Sequence, residues 1–364
     1  MKLMEMIKNL VWKVFPAYMA DALYKKAEKK GIIWWGQRDC FSDIKENCKI
    51  FLNKNQLENS AYRKSIVRDI ILSYRKYGMT ANEYFSYGFP QKTASERDKY
   101  LSRLRKDMLC MKATGKNWME VLAQLKDKNK FYSLASPFFK RKTCKIDCDE
   151  DRTGFNLFCQ GLDYLIAKPS KVACGKGVEI ISLLEKTADD VFDYLRSNGS
   201  YIAEELVKQD ARMAEWNASS INTIRYPSFR KGGEYTSIVP PVLRVGRKGS
   251  IVDNAGSGGC FAVINPETGC IMTDGYDELG NVFKSHPDSK KVFKGTRIPE
   301  WESLKQFAIQ VHASLPSEHK YVGFDFALSK NGWVVIEGNW GDLILQQTAL
   351  GRGFYDEFKK ALLK

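Results

Sequence analysis

Near the end of the chain, residues 321–347 read YVGFDFALSKNGWVVIEGNWGDLILQQ. The apolar pattern predicts a strand over Tyr321–Leu328, a tight polar turn over Ser329–Gly332 and a second strand over Trp333–Glu337. Asp325 interrupts the first strand, Glu337 closes the second, and Asn339 follows it. A carboxylate inside a strand core is costly unless it is paired or holds a cation. A hairpin brings two carboxylates and an amide oxygen together. These are hard oxygen ligands, the kind Mg²⁺ takes when it also meets substrate phosphates. The plainer alternative is that Asp325 and Glu337 lie on a solvated face or pair with nearby Lys and Arg, since charged side chains are mostly exposed.

Other stretches carry compatible chemistry. In DYLIAKPSKVACGKGVEIIS a strand over Leu165–Ala167 is ended by Lys168 before Pro169. A loop over Ser170–Gly177 follows, with Lys171, Gly175, Lys176 and Gly177, and then a strand over Val178–Ser182. A Gly/Ser/Lys loop between strands can lay backbone N–H groups on phosphates while its lysines neutralise charge. Taken alone, the loop also reads as a plain hairpin turn. It is not a GxxxxGK[ST] phosphate loop, and no GxGxxG opens a helix here. Upstream, a DKxxF arrangement puts Lys128 or Lys130 at the start of a helix that precedes a strand. Downstream, SYIAEELVKQ is a strand ending in Glu204 and Glu205, and the strands in SSINTIRYPSF and SIVPPVLRVG carry Arg225 and Arg244. Asp253 and Asn254 then lead into a glycine-rich stretch with Gly258 and Gly259, and NPETG is a turn between strands. His286, His312 and His319 are scattered, and each reads as a satisfied or exposed histidine.

The elements that must position these residues follow from composition and periodicity. At 364 residues the chain has room for two or three subdomains with real cores. A hydrophobic content of 44% makes it globular. No apolar run is long enough for a transmembrane helix, and residues 1–20 lack the pattern of a signal peptide. The nine cysteines are odd in number and irregularly spaced, which fits reduced thiols and a cytoplasmic location. Cys144 and Cys148 have no second Cys/His pair to complete a zinc site. The net charge of +14 favours an anionic partner such as a nucleotide, an acidic sugar or a membrane surface. No nucleic-acid-binding module or basic stripe with interleaved aromatics accompanies it, which argues against a nucleic-acid partner.

Residues 1–30 read as an amphipathic basic helix with Leu3, Met6, Ile7, Leu10, Val11 and Val14 on one face, a break at Pro16, and a second helix through Lys30. Such a helix packs on its own domain or lies at an anionic membrane surface as a peripheral contact. GIIWWGQRD is a short apolar patch, and residues 41–125 read mostly as helix in four blocks, 41–54, 59–78, 80–88 and 96–115. From Lys126 onward, alternating apolar residues and Gly-rich turns predict an α+β segment. The expected division is a helical region over 1–125, a smaller subdomain with the Gly-rich loop over 126–203, and a C-terminal subdomain with the metal hairpin over 204–364.

The order of these features resembles the ATP-grasp superfamily over roughly 126–347. SINTIR, VDNAGSGG and GFDFAL…VVIEGN are similar to the sugar-transfer-associated ATP-grasp proteins of polysaccharide gene clusters. The resemblance implies an α+β ATP-grasp fold, two α+β subdomains sandwiching ATP, behind a mainly helical N-terminal region. It implies that Lys128 (or Lys130) and Lys168 contact the ATP phosphates, and that the loop with Lys171, Gly175, Lys176 and Gly177 closes over them. Glu204, Glu205, Leu206 and Val207 become the adenine hinge, mainly through backbone groups. Arg225 and Arg244 face the triphosphate or an acyl phosphate. Asp325, Glu337 and Asn339 become the Mg²⁺ ligands, and the loop with Asp253, Asn254, Gly258 and Gly259 becomes the acceptor-facing element. Many relatives place another acidic residue after the hinge to hold the ribose; here the segment reads VKQDARMAE, which leaves that ligand open. The implied activity is an ATP-dependent carboxylate–amine ligase acting through an acyl phosphate, with a uronic-acid sugar or glycan carboxylate and an amine or amino acid as substrates. The alternatives are a kinase on the same fold and a non-enzymatic nucleotide- or nucleic-acid-binding protein.

Overall fold

A computed structural model describes residues 6, 10–16, 18–20, 22, 34–35, 38–39, 41–172, 175–251, 253, 258–341 and 343–363. The chain divides into two units, residues 1–108 with 342–356 and residues 109–341 with 357–364.

The first unit is helical, apart from a two-residue hairpin of β1 (Trp34–Trp35) and β2 (Arg38–Asp39). Among the described residues its helices include α1 (Phe41–Phe51), α2 (Lys54–Glu58), α3 (Ser60–Tyr77), α4 (Ala81–Ser86), α5 (Ala94–Asp98), the first residues of α6 (Arg103–Thr114) and, late in the chain, Ile344–Leu350. Local chemistry sets the ends. The Asn59 side chain accepts from the Tyr62 N–H at the start of α3, and Gly78 ends that helix with a left-handed φ of 68°. Thr80–Glu83 and Thr93–Glu96 form capping boxes. Ile66, Val67, Ile70 and Ile71 give α3 a buried face against Ile44, Tyr77, Tyr84, Phe89 and Tyr100.

The sequence reads 96–115 as one helix, but the structure breaks it over residues 99–102. Tertiary partners take the freed backbone groups. The Leu101 N–H donates to Gln347 Oε1 at 2.8 Å, the Ser102 hydroxyl donates to the Tyr77 carbonyl at 2.6 Å, and the Arg103 N–H donates to Glu83 Oε1 at 2.6 Å. In the N-terminal segment, Leu3 and Ile7 of the expected stripe and residues 23–30 of the expected second helix lie outside the described residues. Residues 10–14 and 18–20 are helical. Trp12 and Ala20 pack on the unit's core, while Met6, Leu10, Val14, Phe15 and Tyr18 are exposed. No helix among the described residues is long and apolar enough to cross a membrane.

The second unit begins with α7 (Trp118–Lys126) and α8 (Lys128–Ala135) and contains two antiparallel sheets. The smaller joins β3 (Thr143–Ile146), β4 (Tyr164–Pro169), β5 (Glu179–Ser182) and β6 (Tyr201–Glu205) in the order β3-β6-β4-β5. One face buries Leu165, Ala167, Ile181 and Ala203 against α9 (Arg152–Cys159) and α10 (Ala188–Ser197). Period-2 alternation sends Ile166, Lys168, Ile202 and Glu204 to the other face.

The larger sheet runs β12 (Val282–Phe283), β11 (Gly275–Tyr276), β10 (Cys260–Val263), β9 (Val242–Val245), β7 (Thr223–Lys231), β13 (Tyr321–Ser329), β14 (Gly332–Asn339), with β8 (Glu234–Thr236) paired to β7. A later helix of this unit, residues Trp301–Ser314, packs Phe307 on Phe326. Helix α8 lies against the opposite end of β14, and Gly338 makes that approach possible. A Cβ there would stand 2.4 Å from Phe131. The hairpin expected around Asp325 is therefore real, but its strands run to Ser329 and over Gly332–Asn339, longer than the sequence pattern, and a bulge at Ile336 changes register between Asp325↔Glu337 and Phe326↔Val335.

Candidate functional site

Asp325 sits in the middle of the large sheet with Glu337 opposite it on β14 and Arg225 opposite it on β7, so the three side chains share one face. The aspartate is 2% exposed. Arg225 donates from Nε to Oδ1 at 2.5 Å and from Nη2 to Oδ2 at 3.0 Å. Arg244, one strand further on β9, donates from Nη1 to Oδ2 at 3.0 Å and from Nη2 to Asp253 Oδ1 at 3.2 Å. Asp253 also accepts from the Thr223 backbone N–H at 3.1 Å and from the Thr223 hydroxyl.

The two facing carboxylates are not equivalent. Burial raises the pKa of Asp325, but the Arg225 and Arg244 guanidiniums outweigh it and hold the carboxyl below its ordinary value. Glu337 is raised, first by burial and then by the charge of Asp325. Its side chain shares a hydrogen bond with Asp325, its Oε1 accepts a long 3.4 Å bond from Asn339 Nδ2, and Asn339 Oδ1 is buried without a hydrogen-bond partner. Asp325 has three of its roughly four acceptor positions filled by arginines. Glu337 and the Asn339 oxygen have the spare capacity. An all-oxygen donor set, an unsatisfied amide oxygen and three carboxylates, Asp325, Glu337 and Asp253, against two guanidiniums fit a hard divalent cation. Among the described residues no group of three or more His, Cys, Asp and Glu is arranged to hold a metal.

The lysines form a second cluster. Lys128, first residue of α8 after the Asp127 cap, donates to the Pro169 carbonyl at 3.1 Å and to the Val172 carbonyl at 2.6 Å. Burial lowers its pKa while the charge of Glu337 pulls the other way. Lys130 is exposed. Lys168 donates to Glu204 Oε2 at 2.8 Å. Glu204 is 2% exposed; burial raises its pKa, and Arg141 and Lys168 together bring it below the ordinary value. Of the loop, Lys171 stands 3.9 Å from Asp127, Lys176 is exposed, and Gly175 and Gly177 have left-handed φ of 68° and 71°.

Past Glu205 the chain leaves the sheet. The Glu205 N–H donates to the Lys142 carbonyl, and Leu206 and Val207 are half-buried. Gly258 is exposed and Gly259 buried, while Asn254 lies outside the described residues. The histidines are internal. His312 Nδ1 meets the Ser228 hydroxyl at 2.7 Å and its Nε2 meets the His319 carbonyl at 2.7 Å, with burial holding its pKa down at about 3.

One residue of this neighbourhood is not singled out by the sequence reading. Arg141 donates from Nε and Nη2 to Glu204 Oε2 at 2.9 and 2.6 Å, and from Nη1 to the Val335 carbonyl of β14 at 2.8 Å. Its signal in the sequence is a KRK triplet at 140–142, which reads as surface charge.

A small antiparallel sheet and a large one, each presenting a charged inner face, make up the ATP-grasp fold. A family model described as sugar-transfer associated ATP-grasp matches residues 114–361, and the chain belongs to that family. No protein of curated function matches the chain. Among solved structures it is similar to a D-alanyl-alanine synthetase A from Vibrio cholerae (11% identity, TM-score 0.38, 66% of each chain covered). It is also similar to an L-amino acid ligase from Bacillus licheniformis (12% identity, TM-score 0.40, 66% of this chain and 48% of the ligase). The D-alanine–D-alanine ligase from Bacillus anthracis complexed with ATP gives 14% identity, a TM-score of 0.38, and coverage of 66% of this chain and 65% of that one. The chain spans between about half and two thirds of the length of these structures.

Proposed function

We propose that this chain is an ATP-dependent carboxylate–amine ligase. The observation that carries the reading is the pairing of unlike charge clusters within one unit: Asp325, Glu337 and Asn339 short of a cation, and Lys128 and Lys168 held where phosphates would need neutralising. Asp325, Glu337 and Asn339 would hold Mg²⁺, which when bound offsets charge on the β- and γ-phosphates. Lys128 and Lys168 meet the phosphates, and the Lys171–Gly177 loop closes over them. The backbone of Glu204–Val207 receives the adenine beside Ile166 and Ile180, paired across β4 and β5 on the same face as Glu204.

In this reading an oxygen of the substrate carboxylate attacks the γ-phosphorus. The bond from that phosphorus to the bridging oxygen breaks, giving ADP and an acyl phosphate. An amine then attacks the acyl carbon, inorganic phosphate leaves, and the amide forms with loss of the amine proton. Arg225 and Arg244 lie where positive charge steadies the transferring phosphoryl group and the acyl phosphate. No side-chain nucleophile is needed, and positioning and electrostatics supply the rate. The basic surplus and the family description support an anionic sugar or glycan carboxylate, such as a uronic acid, as the acid, with the Asp253–Gly259 loop facing the acceptor.

The division into a helical region over 1–125, a loop-bearing subdomain over 126–203 and a metal-bearing subdomain over 204–364 belongs to the same proposal, as do a cytoplasmic location and peripheral contact of residues 1–30 with an anionic membrane. The exposed Met6, Leu10, Val14, Phe15 and Tyr18 support that contact. Co-sedimentation with anionic vesicles tests it, and an equal pellet with neutral vesicles would remove the electrostatic part.

The deciding experiment measures ADP and phosphate release from Mg·ATP against amino acids and amines crossed with uronic-acid sugars. ADP formed only when acid and amine are both present, with a product mass equal to their condensation, is the expected result. Turnover with one partner and a stable phosphorylated product would replace the ligase with a kinase.

A further inference from the structure

We infer that Arg141 is a positioning residue that fixes the phosphate-facing Lys168 relative to the metal-facing end of β14. The inference rests on the nucleotide-site reading above, and goes beyond it by assigning a residue that contacts neither nucleotide nor metal in that reading.

Four observations converge on it. Arg141 is 5% exposed, so its charge must be matched locally. Two of its nitrogens hold Glu204 Oε2, the same oxygen that takes the Lys168 ammonium. Its remaining Nη1 donates to the carbonyls of Phe139 and Val335 at 2.9 and 2.8 Å. Val335 immediately precedes the bulged Ile336, and the bulge sets Glu337 opposite Asp325. A single planar guanidinium thus ties the small sheet to the place where the large sheet changes register. Lysine has no fork with which to span the same set.

The backbone is bent to deliver it. Lys140, a non-glycine residue, has a left-handed φ of 51° directly before Arg141. An arginine that only filled a surface would not need that conformation.

The alternative is that Arg141 merely satisfies a buried carboxylate. The two roles separate in nucleotide binding. ADP affinity measured by calorimetry in EDTA reports the lysine side, and the factor by which Mg²⁺ tightens it reports communication with the hairpin. In Arg141→Met and Arg141→Lys the Mg²⁺ factor is expected to fall by roughly 10-fold or more, the usual cost of losing a residue that orients metal ligands. Arg141→Lys keeps the charge and so recovers ADP affinity in EDTA better than it recovers the Mg²⁺ factor. An Ile181→Ala variant, cut in the core on the far face of the same small sheet, shows what lost stability alone does to both numbers.

Folded variants with an unchanged Mg²⁺ factor would overturn the inference, as would failure of both Arg141 variants to fold, which would make the residue a fold determinant. A wild-type chain that binds no ADP would instead overturn the nucleotide-site reading itself.

Discussion

Two buried carboxylates, Glu204 on the small sheet and Asp325 on the large one, are each held by two cations, yet they leave opposite balances. Glu204 takes Arg141 and Lys168 on one oxygen, and no second carboxylate pairs with it on the sheet, so the cluster carries surplus positive charge. Asp325 takes Arg225 and Arg244, but Glu337 stands beside it and Asp253 draws on the same Arg244. That cluster is short of one positive charge. The difference teaches how one protein interior can prepare for both halves of a metal–phosphate ligand: excess cation on one sheet, excess anion on the other, each too buried for water to compensate.

The largest test removes each carboxylate of the hairpin in turn. Asp325→Asn and Glu337→Gln are both expected to lower turnover by about 10³-fold or more, the scale seen when groups stabilising transferred charge are lost. Their effects on stability should differ. Asp325→Asn removes the carboxylate that both Arg225 and Arg244 hold, so the thermal midpoint falls; breaking a buried pair costs roughly 3–5 kcal/mol. Glu337→Gln resembles the protonated acid and relieves a like-charge pair, so the metal-free midpoint holds or rises. Equal destabilisation by both, read by calorimetry in EDTA, would erase the distinction.

The pH dependence of the metal-free protein sharpens the same contrast. Glu204 has a lowered folded-state pKa. Its contribution is present above the unfolded value near 4.5 and is lost as pH falls through the folded value, so stability rises with pH across that window. Glu337 has a raised one. Its contribution is full below 4.5 and is lost as pH climbs through the folded value, so stability falls with pH there. Midpoints measured against pH for Glu204→Gln and Glu337→Gln should therefore depart from wild type in opposite directions. A common direction would mean that the two environments are not opposed.

A smaller effect follows from the raised pKa of Glu337, whose causes are burial and the charge of Asp325. A divalent cation competes with a proton for that carboxylate, so Mg²⁺ affinity should strengthen with pH up to the raised pKa, by at most about 10-fold per pH unit for one proton. Glu337→Gln should flatten that slope. A pH dependence of Mg²⁺ affinity that is the same in wild type and Glu337→Gln would place the cation elsewhere.

Much of this contrast is legible in the sequence, and the rest is not for physical reasons. The Asp325–Glu337 hairpin announces itself because Asp325 interrupts one apolar strand run and Glu337 closes the next, and the Lys-Pro and Glu-Glu strand ends mark the small sheet in the same way. The helical first unit follows from caps and C-terminal glycines, but the break over residues 99–102 does not, since Gln347, Tyr77 and Glu83 supply its hydrogen bonds from elsewhere in the chain. Arg141 is invisible for a related reason: a basic triplet looks solvated until the fold places a carboxylate and a bulge carbonyl around its middle residue. The bulge at Ile336 leaves no signature in a uniformly apolar run. The acceptor-facing role of Asp253 comes from the resemblance alone, and its contacts to Arg244 and Thr223 depend on strands far from it in sequence.

The smallest expected effect concerns a choice the sequence leaves open, Lys128 against Lys130. Both lie in the first turn of α8, and the spacing pattern suits either. A helix turns about 100° per residue, so positions two apart face nearly opposite ways, and only one can meet the small sheet. That one is Lys128, with its ammonium on the Pro169 and Val172 carbonyls at the start of the loop and its pKa lowered by burial. Lys130 points to solvent. Lys130→Ala should change ADP affinity by less than about 2-fold and the thermal midpoint hardly at all, as exposed substitutions usually do. Lys128→Ala should weaken ADP by roughly 10-fold or more, because a half-buried ammonium facing phosphates makes charge-assisted hydrogen bonds that solvent replaces poorly. The reverse ranking in a calorimetric titration would turn α8 by half a turn and place the phosphates on its other side.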